Sequence, residues 1–259
     1  METKIFQSDQ IEEAAALLRN GELVAFPTET VYGLGANALL AESVKQVFAV
    51  KGRPSDNPLI VHVANFSMTE EFVESYHPLT ETIIKHFWPG PLTLIFKIKT
   101  GSLSPVVTGG LSTAAFRMPD NKKTLSLIGK TGAPLVGPSA NTSGKPSPTT
   151  ALHVYHDLSG KISGILDDGA TEIGVESTVL DLSGDQPTIL RPGAVTQEAL
   201  QEVLGVDVPL DKHLVKESET PKAPGMKYKH YSPETSVLMI KPEDWQKAME
   251  WAKAKDKKV

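Results

Sequence analysis

The 259-residue sequence carries 26 Lys and Arg against 31 Asp and Glu, a formal net charge of −5. That balance argues against a surface that grips nucleic acid all over, and leaves a local basic cleft open. There is no cysteine, which excludes disulfides, cysteine-ligated zinc and thiol chemistry.

The 40% hydrophobic content is ample for a buried core, arranged as one large domain or as one domain with an appendage. The amino-terminal METKIFQSDQIEEAAALL is mixed and acidic, and no apolar run approaches the roughly 20 residues that span a bilayer. A soluble cytoplasmic protein with no membrane contact is the expectation.

Residues 9–20 read as an amphipathic helix with Ile11, Ala14, Ala15 and Leu18 on one face, Asp9 and Glu12 as a capping pair, and Gly21 as its stop. Residues 23–26 read as a short strand ended by Pro27. PTETVYGLGANA, residues 27–38, is then a loop dense in hydroxyls and glycines. Its Gly33 and Gly35 fit neither GxGxxG nor GxxxxGK[ST], so Rossmann and P-loop assignments fail. Thr28, Glu29, Thr30 and Tyr32 are suited either to a small polar ligand or to an ordinary turn.

Residues 41–51 form a helix with Val44, Val47 and Phe48 on one stripe. Lys51 continues that stripe, so its ammonium is expected at the rim of the buried face. In KGRPSDNPLIVHV, residues 51–63, Lys51 and Arg53 precede a turn stiffened by Pro54 and Pro58. Two cations so placed suit a polyanion such as a nucleoside triphosphate. They also suit a solvated helix end, where the macrodipole favours cations. Residues 59–63 are a strand covered on both faces, within which His62 is either a core histidine held by backbone or a ligand contact.

Helical pieces at 69–76 and 80–87 end at Pro89-Gly90-Pro91, with a strand from Leu92 and Trp88 in the core. Residues 102–111 read as a loop. STAAFRMPD presents Arg117 at a strand end, where a surface ion pair is the ordinary role, and residues 124–132 read as a helix. PLVGPSANTSGKPSPTT, residues 134–150, is a short strand feeding a long loop of Ser, Thr, Asn, Gly and Pro. A long ordered loop inside a domain is usually functional, and its amides and hydroxyls suit phosphate, with Lys145 adding charge.

Asp167 and Asp168 invite a metal reading, but a turn before a strand starting at Glu176-Ser177-Thr178 is preferred, since no metal-ligand spacing surrounds them. A strand at 188–191 ends in Arg191-Pro192-Gly193, and a helix spans 196–203. Residues 205–232 read as a polar linker containing APGMKYKHYSP, followed by a strand at 236–240 and a helix at 242–253 with Pro242 at its first position.

Together and in this order, FPTETVYGLGANA, KGRPSDNPLIVHV, FWPGPLTL, AFRMP, PSANTSGKPSPT, GVESTV, ILRPGA and APGMKYKHYSP resemble the Sua5/YrdC family of L-threonylcarbamoyladenylate synthases. The family's KxR and SxN pair is matched by Lys51-Gly52-Arg53 and Ser139-Ala140-Asn141. The resemblance implies an α/β fold, a twisted mixed parallel and antiparallel sheet with flanking helices around a large basic cavity. It implies a catalytic domain over residues 1–204, a linker over 205–233 crossing the cavity, and the start of a Rossmann-like second domain over 234–259.

The resemblance also implies site roles. Threonine would meet Thr30, His62, Arg117, Ser177 and the backbone near Gly137. ATP would meet Arg53, Asn57, Thr113, Ser139, Asn141, Ser147, Arg191 and Tyr231, with Lys51 and Arg53 the catalytic cations. The implied reaction joins L-threonine, bicarbonate or CO2, and ATP, the last accompanied by Mg2+ of unassigned ligands. It yields threonylcarbamoyl-AMP and diphosphate for the t6A modification of tRNA, and hands the product to the tRNA threonylcarbamoyl-transfer machinery. Weak tRNA contact belongs to the same expectation, and two alternatives stand beside it: an RNA-binding module using the same cavity, and a related carbamoyl- or acyl-adenylate-forming enzyme for another amino acid.

Overall fold

A computed structural model of the chain describes residues 2–211, 221 and 239–254. In chain order they form β1 (Lys4–Phe6), a 3-10 turn (Ser8–Gln10), α1 (Ile11–Arg19), β2 (Val24–Phe26), β3 (Gly33–Asn37), α2 (Ala41–Lys51) and β4 (Ile60–His62). A second 3-10 turn (Phe66–Glu71), α3 (Thr80–Phe87), β5 (Leu92–Lys97), α4 (Pro105–Thr108), β6 (Thr113–Arg117), α5 (Lys122–Thr131) and β7 (Leu135–Val136) follow. Then come α6 (Ala151–Leu158), β8 (Gly164–Leu166), β9 (Thr178–Asp181), β10 (Thr188–Arg191), α7 (Gln197–Leu204) and, further on, α8 (Trp245–Ala254) behind a 3-10 turn (Pro242–Asp244).

The strands make one mixed sheet in the order β1-β8-β2-β3-β7-β4-β6-β5-β9-β10. Pairs β1/β8, β2/β8, β4/β6 and β5/β9 are parallel, and the others antiparallel. Side chains alternate faces along a strand, so the sheet separates two layers. One face carries the main core: Ala25, Val61, Val136, Phe116, Leu94 and Leu180 pack there with Val44, Val47 and Phe48 of α2, Ile83 of α3, Val154 of α6 and Leu200 of α7.

The opposite face is divided. Over β1, β8, β2 and β7 it is covered by α1 and α5 through Ala14, Ala15, Leu18, Leu127 and Ile128, which pack on Phe6, Val24, Phe26, Leu135 and Leu166. Over β4, β6, β5, β9 and β10 the buried apolar cluster is carried by strand residues alone: Ile60, Ala115, Ile95, Val179 and Leu190. This second half is where the polar residues of interest gather.

Several local expectations need correction. The first helix starts at Ile11, and its preceding turn is tied by the Gln7 N–H donating to Gln10 Oε1 at 3.1 Å. Glu12 is not in a cap, because Arg19 and Lys130 engage its carboxylate. The loop expected at 27–38 contains β3, and β1 and β8 lie outside every predicted strand. The helix expected at 69–76 is the 3-10 turn Phe66–Glu71, and the loop at 102–111 holds α4. Trp88 is half-buried at the edge of the core, its indole N–H donating to Leu92 O at 2.7 Å. Of the strand expected at 236–240, Met239 and Ile240 are not in a strand, and 236–238 lie outside the described residues.

Candidate functional site

Helix α2 stops at Gly52, whose left-handed φ of 62° needs no Cβ clearance. Because Lys51 follows the Val44–Val47–Phe48 stripe, its side chain turns inward. It reaches deeper than the rim expected of it: Lys51 is buried, and Nζ donates to Ser139 O and, at 2.6 Å, to Asn141 O. The Ser143 N–H returns a bond to Lys51 O at 2.8 Å. The Lys-x-Arg and Ser-x-Asn segments are thus joined through one ammonium and the backbone of the other. Burial, and after it the charge of Arg53, brings the Lys51 pKa down to about 7, while Asp157 pulls the other way.

Each of these two segments carries an amide left short of partners among the described residues. Asn57 is wholly buried, with neither Oδ1 nor Nδ2 bonded among the described residues. Asn141 spends Nδ2 on Thr142 O and Lys145 O, at 2.8 and 2.9 Å, and Oδ1 has no partner there. Asp157 on α6 steadies the same loop by accepting from the Thr142 N–H at 3.1 Å. Arg53 donates to Pro58 O at 3.3 Å. Ser147 donates to Glu176 Oε1, which ties the loop to the turn before β9.

The second group lies at one end of the half-face described above. Strands β4 and β6 are parallel with His62 opposite Arg117, so both residues sit at carboxyl ends. Strand β5 runs against β6, and β9 runs with β5, which brings their amino ends to the same edge. His62, Arg117, Thr93 and Ser177 therefore share one face, each at or within two positions of Ile60, Ala115, Ile95 and Val179. Thr113 lies on that face at the opposite end of β6, opposite Lys97.

Arg117 is not at the surface. It is buried against Glu29, Nη2 lying 2.6 Å from Oε1 as a charge contact rather than an aligned hydrogen bond, while Nε donates to Gly90 O at 3.3 Å. Glu29 Oε2 accepts from the Asp120 N–H at 3.1 Å. Next to it, Thr30 is buried with its hydroxyl 2.8 Å from that of Thr28.

His62 packs edge-on to Phe26 at 5.3 Å between centroids, with the backbone of Ile60 and Leu135 beside its ring as expected of a core histidine, while Nδ1 has no hydrogen-bond partner among the described residues. Burial, then the Arg117 charge, holds the His62 pKa down at about 3, so the ring is neutral. Gly137 makes this close approach possible: a Cβ there would stand 2.6 Å from the Phe26 ring and 2.7 Å from His62 Nδ1. Ser177 Oγ is 2.8 Å from Thr93 Oγ1, and Arg191 Nη2 donates to Ser177 O at 2.8 Å and to Ser177 Oγ at 3.2 Å.

The two groups are connected along the 137–141 segment. Gly137 N–H donates to Ile60 O beside His62, and Ala140 N–H donates to Tyr32 O on the way to the Lys51 contact. Tyr231 lies outside the described residues, as does most of the expected linker. Asp167 and Asp168 form a turn, in which Asp167 accepts from the Gly169 N–H and Asp168 pairs with Lys123. Sequence reasoning missed Thr93 and Asp157, for which a lone hydroxyl in an apolar strand and a surface-type helix acid offered no signal. It named Glu29 only as part of a loop. No helix among the described residues is long and apolar enough to cross a membrane.

These features belong to a known class. The family model described as "Telomere recombination", covering Sua5, YciO and YrdC, matches residues 16–193, and the chain belongs to this family. A model described as "Threonylcarbamoyl-AMP synthase, C-terminal domain" matches residues 195–259. Among similar proteins, the threonylcarbamoyl-AMP synthase of Bacillus subtilis is 56% identical over 231 residues, covering 89% of this chain and 66% of that protein. That of Pyrococcus abyssi is 50% identical over 232 residues, covering 89% and 68%. The crystal structure of P. abyssi Sua5 complexed with L-threonine superposes with a TM-score of 0.89 at 45% identity, covering 99% of this chain and 77% of that one. The chain thus spans about two thirds of the length of these curated relatives.

Proposed function

We propose that this chain is an L-threonylcarbamoyladenylate synthase. The observation that carries the reading is the chemistry of the sheet face over β4, β6, β5 and β9. Arg117, neutral His62, Ser177 and Thr30 stand at one end, and the 137–141 segment leads from it to Lys51, which Ser139 and Asn141 engage and which Arg53 and Asn57 follow in the chain. Buried polar atoms without a partner cost about 1–3 kcal/mol each, so the Asn57 and Asn141 atoms left without one among the described residues favour a role toward a ligand. Relatives named for this activity, one of them solved with L-threonine, support the same assignment.

In this reading Arg117 grips the amino acid's carboxylate, and Thr30, His62, Ser177 and the backbone at Gly137 complete its pocket. Arg53, Asn57, Thr113, Ser139, Asn141, Ser147, Arg191 and Tyr231 hold ATP, which arrives as its Mg2+ complex. The amine and bicarbonate or CO2 give an N-carboxylate. One of its oxygens bonds to the α-phosphorus as the bond to diphosphate breaks. No protein nucleophile is needed. Lys51 and Arg53 offset charge that builds on the phosphates, and the walls hold the reactants in line.

Residues 1–204 would carry this chemistry, with 205–233 crossing the site and 234–259 beginning the second domain. The product would pass to a tRNA-modifying transferase in the cytoplasm. The test is diphosphate release from ATP, with L-threonine and bicarbonate omitted in turn. Release that requires both is expected, and release indifferent to threonine would overturn the reading in favour of another adenylate-forming reaction.

A further inference from the structure

Thr93 is a fully buried hydroxyl near the start of β5, LTLIFK, whose other buried positions are all apolar. Burying a hydroxyl is costly unless it is bonded. Valine would fill the same space without that cost, so the hydroxyl calls for a physical account. Strand pairing supplies its setting: Thr93 lies opposite Val179 of β9, and Ser177, two residues earlier, lies diagonally across on the same face. Their oxygens are 2.8 Å apart, and Ser177 Oγ is the one side-chain partner of Thr93 Oγ1 among the described residues.

Proton direction follows from what each group can do. A hydroxyl has one proton and two lone pairs, and a guanidinium can only donate. Arg191 Nη2, 3.2 Å from Ser177 Oγ, therefore occupies one of the serine's lone pairs. Were Ser177 also to donate to Thr93, the threonine proton would be left in the core with no acceptor among the described residues. The arrangement that leaves nothing stranded has Thr93 donating to Ser177. The serine then accepts twice, and its own proton is free to point into the site.

We propose that Thr93 is a positioning residue that makes Ser177 an obligate hydrogen-bond donor toward a carboxylate oxygen of the amino-acid substrate. Resting on the function proposed above, this adds a rule for the ligand's polarity. A Ser177 fixed as donor matches a carboxylate and gives nothing to an ammonium, which has no lone pair. The amino acid is thereby oriented with its carboxylate toward Ser177 and Arg117 and its nitrogen facing away, toward the incoming carbon dioxide unit.

Calorimetric titration of the full chain with L-threonine, with L-threoninol (the carboxylate reduced to an alcohol), and separately with ATP, tests this. Thr93→Val is expected to weaken L-threonine binding about three- to tenfold, the loss expected for one hydrogen bond. ATP affinity should stay within about twofold, and Thr93→Ser should recover wild-type threonine affinity. The preference for threonine over threoninol should shrink in Thr93→Val. In a Ser177→Ala background Thr93→Val should add nothing, because the two act as one unit.

Wild-type threonine affinity in Thr93→Val, an undiminished preference over threoninol, or a full additional loss in the Ser177→Ala background would each overturn the proposal. If Thr93→Val proves too unstable to titrate, Thr93→Ala carries the same comparison against Thr93→Ser. A wild-type chain that binds no threonine would instead remove the functional reading itself, an outcome distinct from a wild type that binds and a variant that binds equally well.

Discussion

The buried lysine makes a prediction that needs no substrate. Lys51 in the native chain titrates near pH 7, whereas an unfolded lysine titrates near 10.5. Below about pH 7 both states carry the proton, and the fold bears the whole cost of enclosing an ammonium. Between the two values the native lysine is already neutral while the unfolded one is still charged, so the unfolded state binds one more proton and stability rises with pH. The slope is about 1.4 kcal/mol per pH unit, or about 2 kcal/mol between pH 7.5 and pH 9.

Lys51→Met keeps the apolar stem and deletes the titrating group. Urea unfolding of both proteins at several pH values across that interval, with the midpoints subtracted, cancels every titration they share. Wild type should gain about 2 kcal/mol on the variant as pH rises. Two further substitutions set the direction of the inflection: Arg53→Gln removes a repelling charge and should move it to higher pH, while Asp157→Asn removes an attracting one and should move it lower. A stability difference independent of pH would refute the argument and mean that Lys51 stays charged in the fold.

Three other substitutions probe the site. Asn57→Leu deletes an amide with no partner among the described residues; stability without ligand should hold or rise by up to about 1 kcal/mol, and ATP affinity should fall at least about tenfold. Denaturation showing a loss above about 2 kcal/mol would instead make the amide structural. Gly137→Ala forces a methyl against Phe26 and His62 and should cost about 1–3 kcal/mol, so an unchanged melting temperature would count against the packing described. Glu29→Gln leaves the Arg117 charge buried without its counterion and should cost about 3–5 kcal/mol. Adding Arg117→Met should return part of that loss, and strictly additive losses would refute the pairing.

Much of the framework could be read in advance where local signals agree. Helix α2 was legible to the residue, because an apolar stripe runs into a glycine. Strand β10 and the start of β5 after Pro89-Gly90-Pro91 were legible for similar reasons. Strand β3 was not: GLGAN has little strand propensity, and it is a strand because the Phe26 ring of β2 fills the space where a Gly33 Cβ would sit. Strands β1 and β8 are three residues each, and they pair with each other across some 160 positions.

The motif residues were identifiable by type, but their depth was not. Arg117 reads as a surface cation until Glu29, far away in sequence, is seen beside it. Lys51 reads as a rim residue until the 139–141 carbonyls close over it. Tertiary partners decide both, and no local pattern encodes them.

The strand order also bears on how the polypeptide matures as it is made from its amino end. Strand β7, two residues long, is what bonds β3 to β4, and β8 is what bonds β1 to β2. A nascent chain that has completed β6 thus holds a β2–β3 hairpin and a separate β4–β6–β5 patch, each with a bare edge ready to pair with whatever it meets. Only when residues 135–136 emerge do the patches join, and only at 164–166 does the first strand find its place. Such distant pairings make assembly slow. Synthesis halted between those points leaves half-sheets with bare edges, the state in which the chain depends most on chaperones.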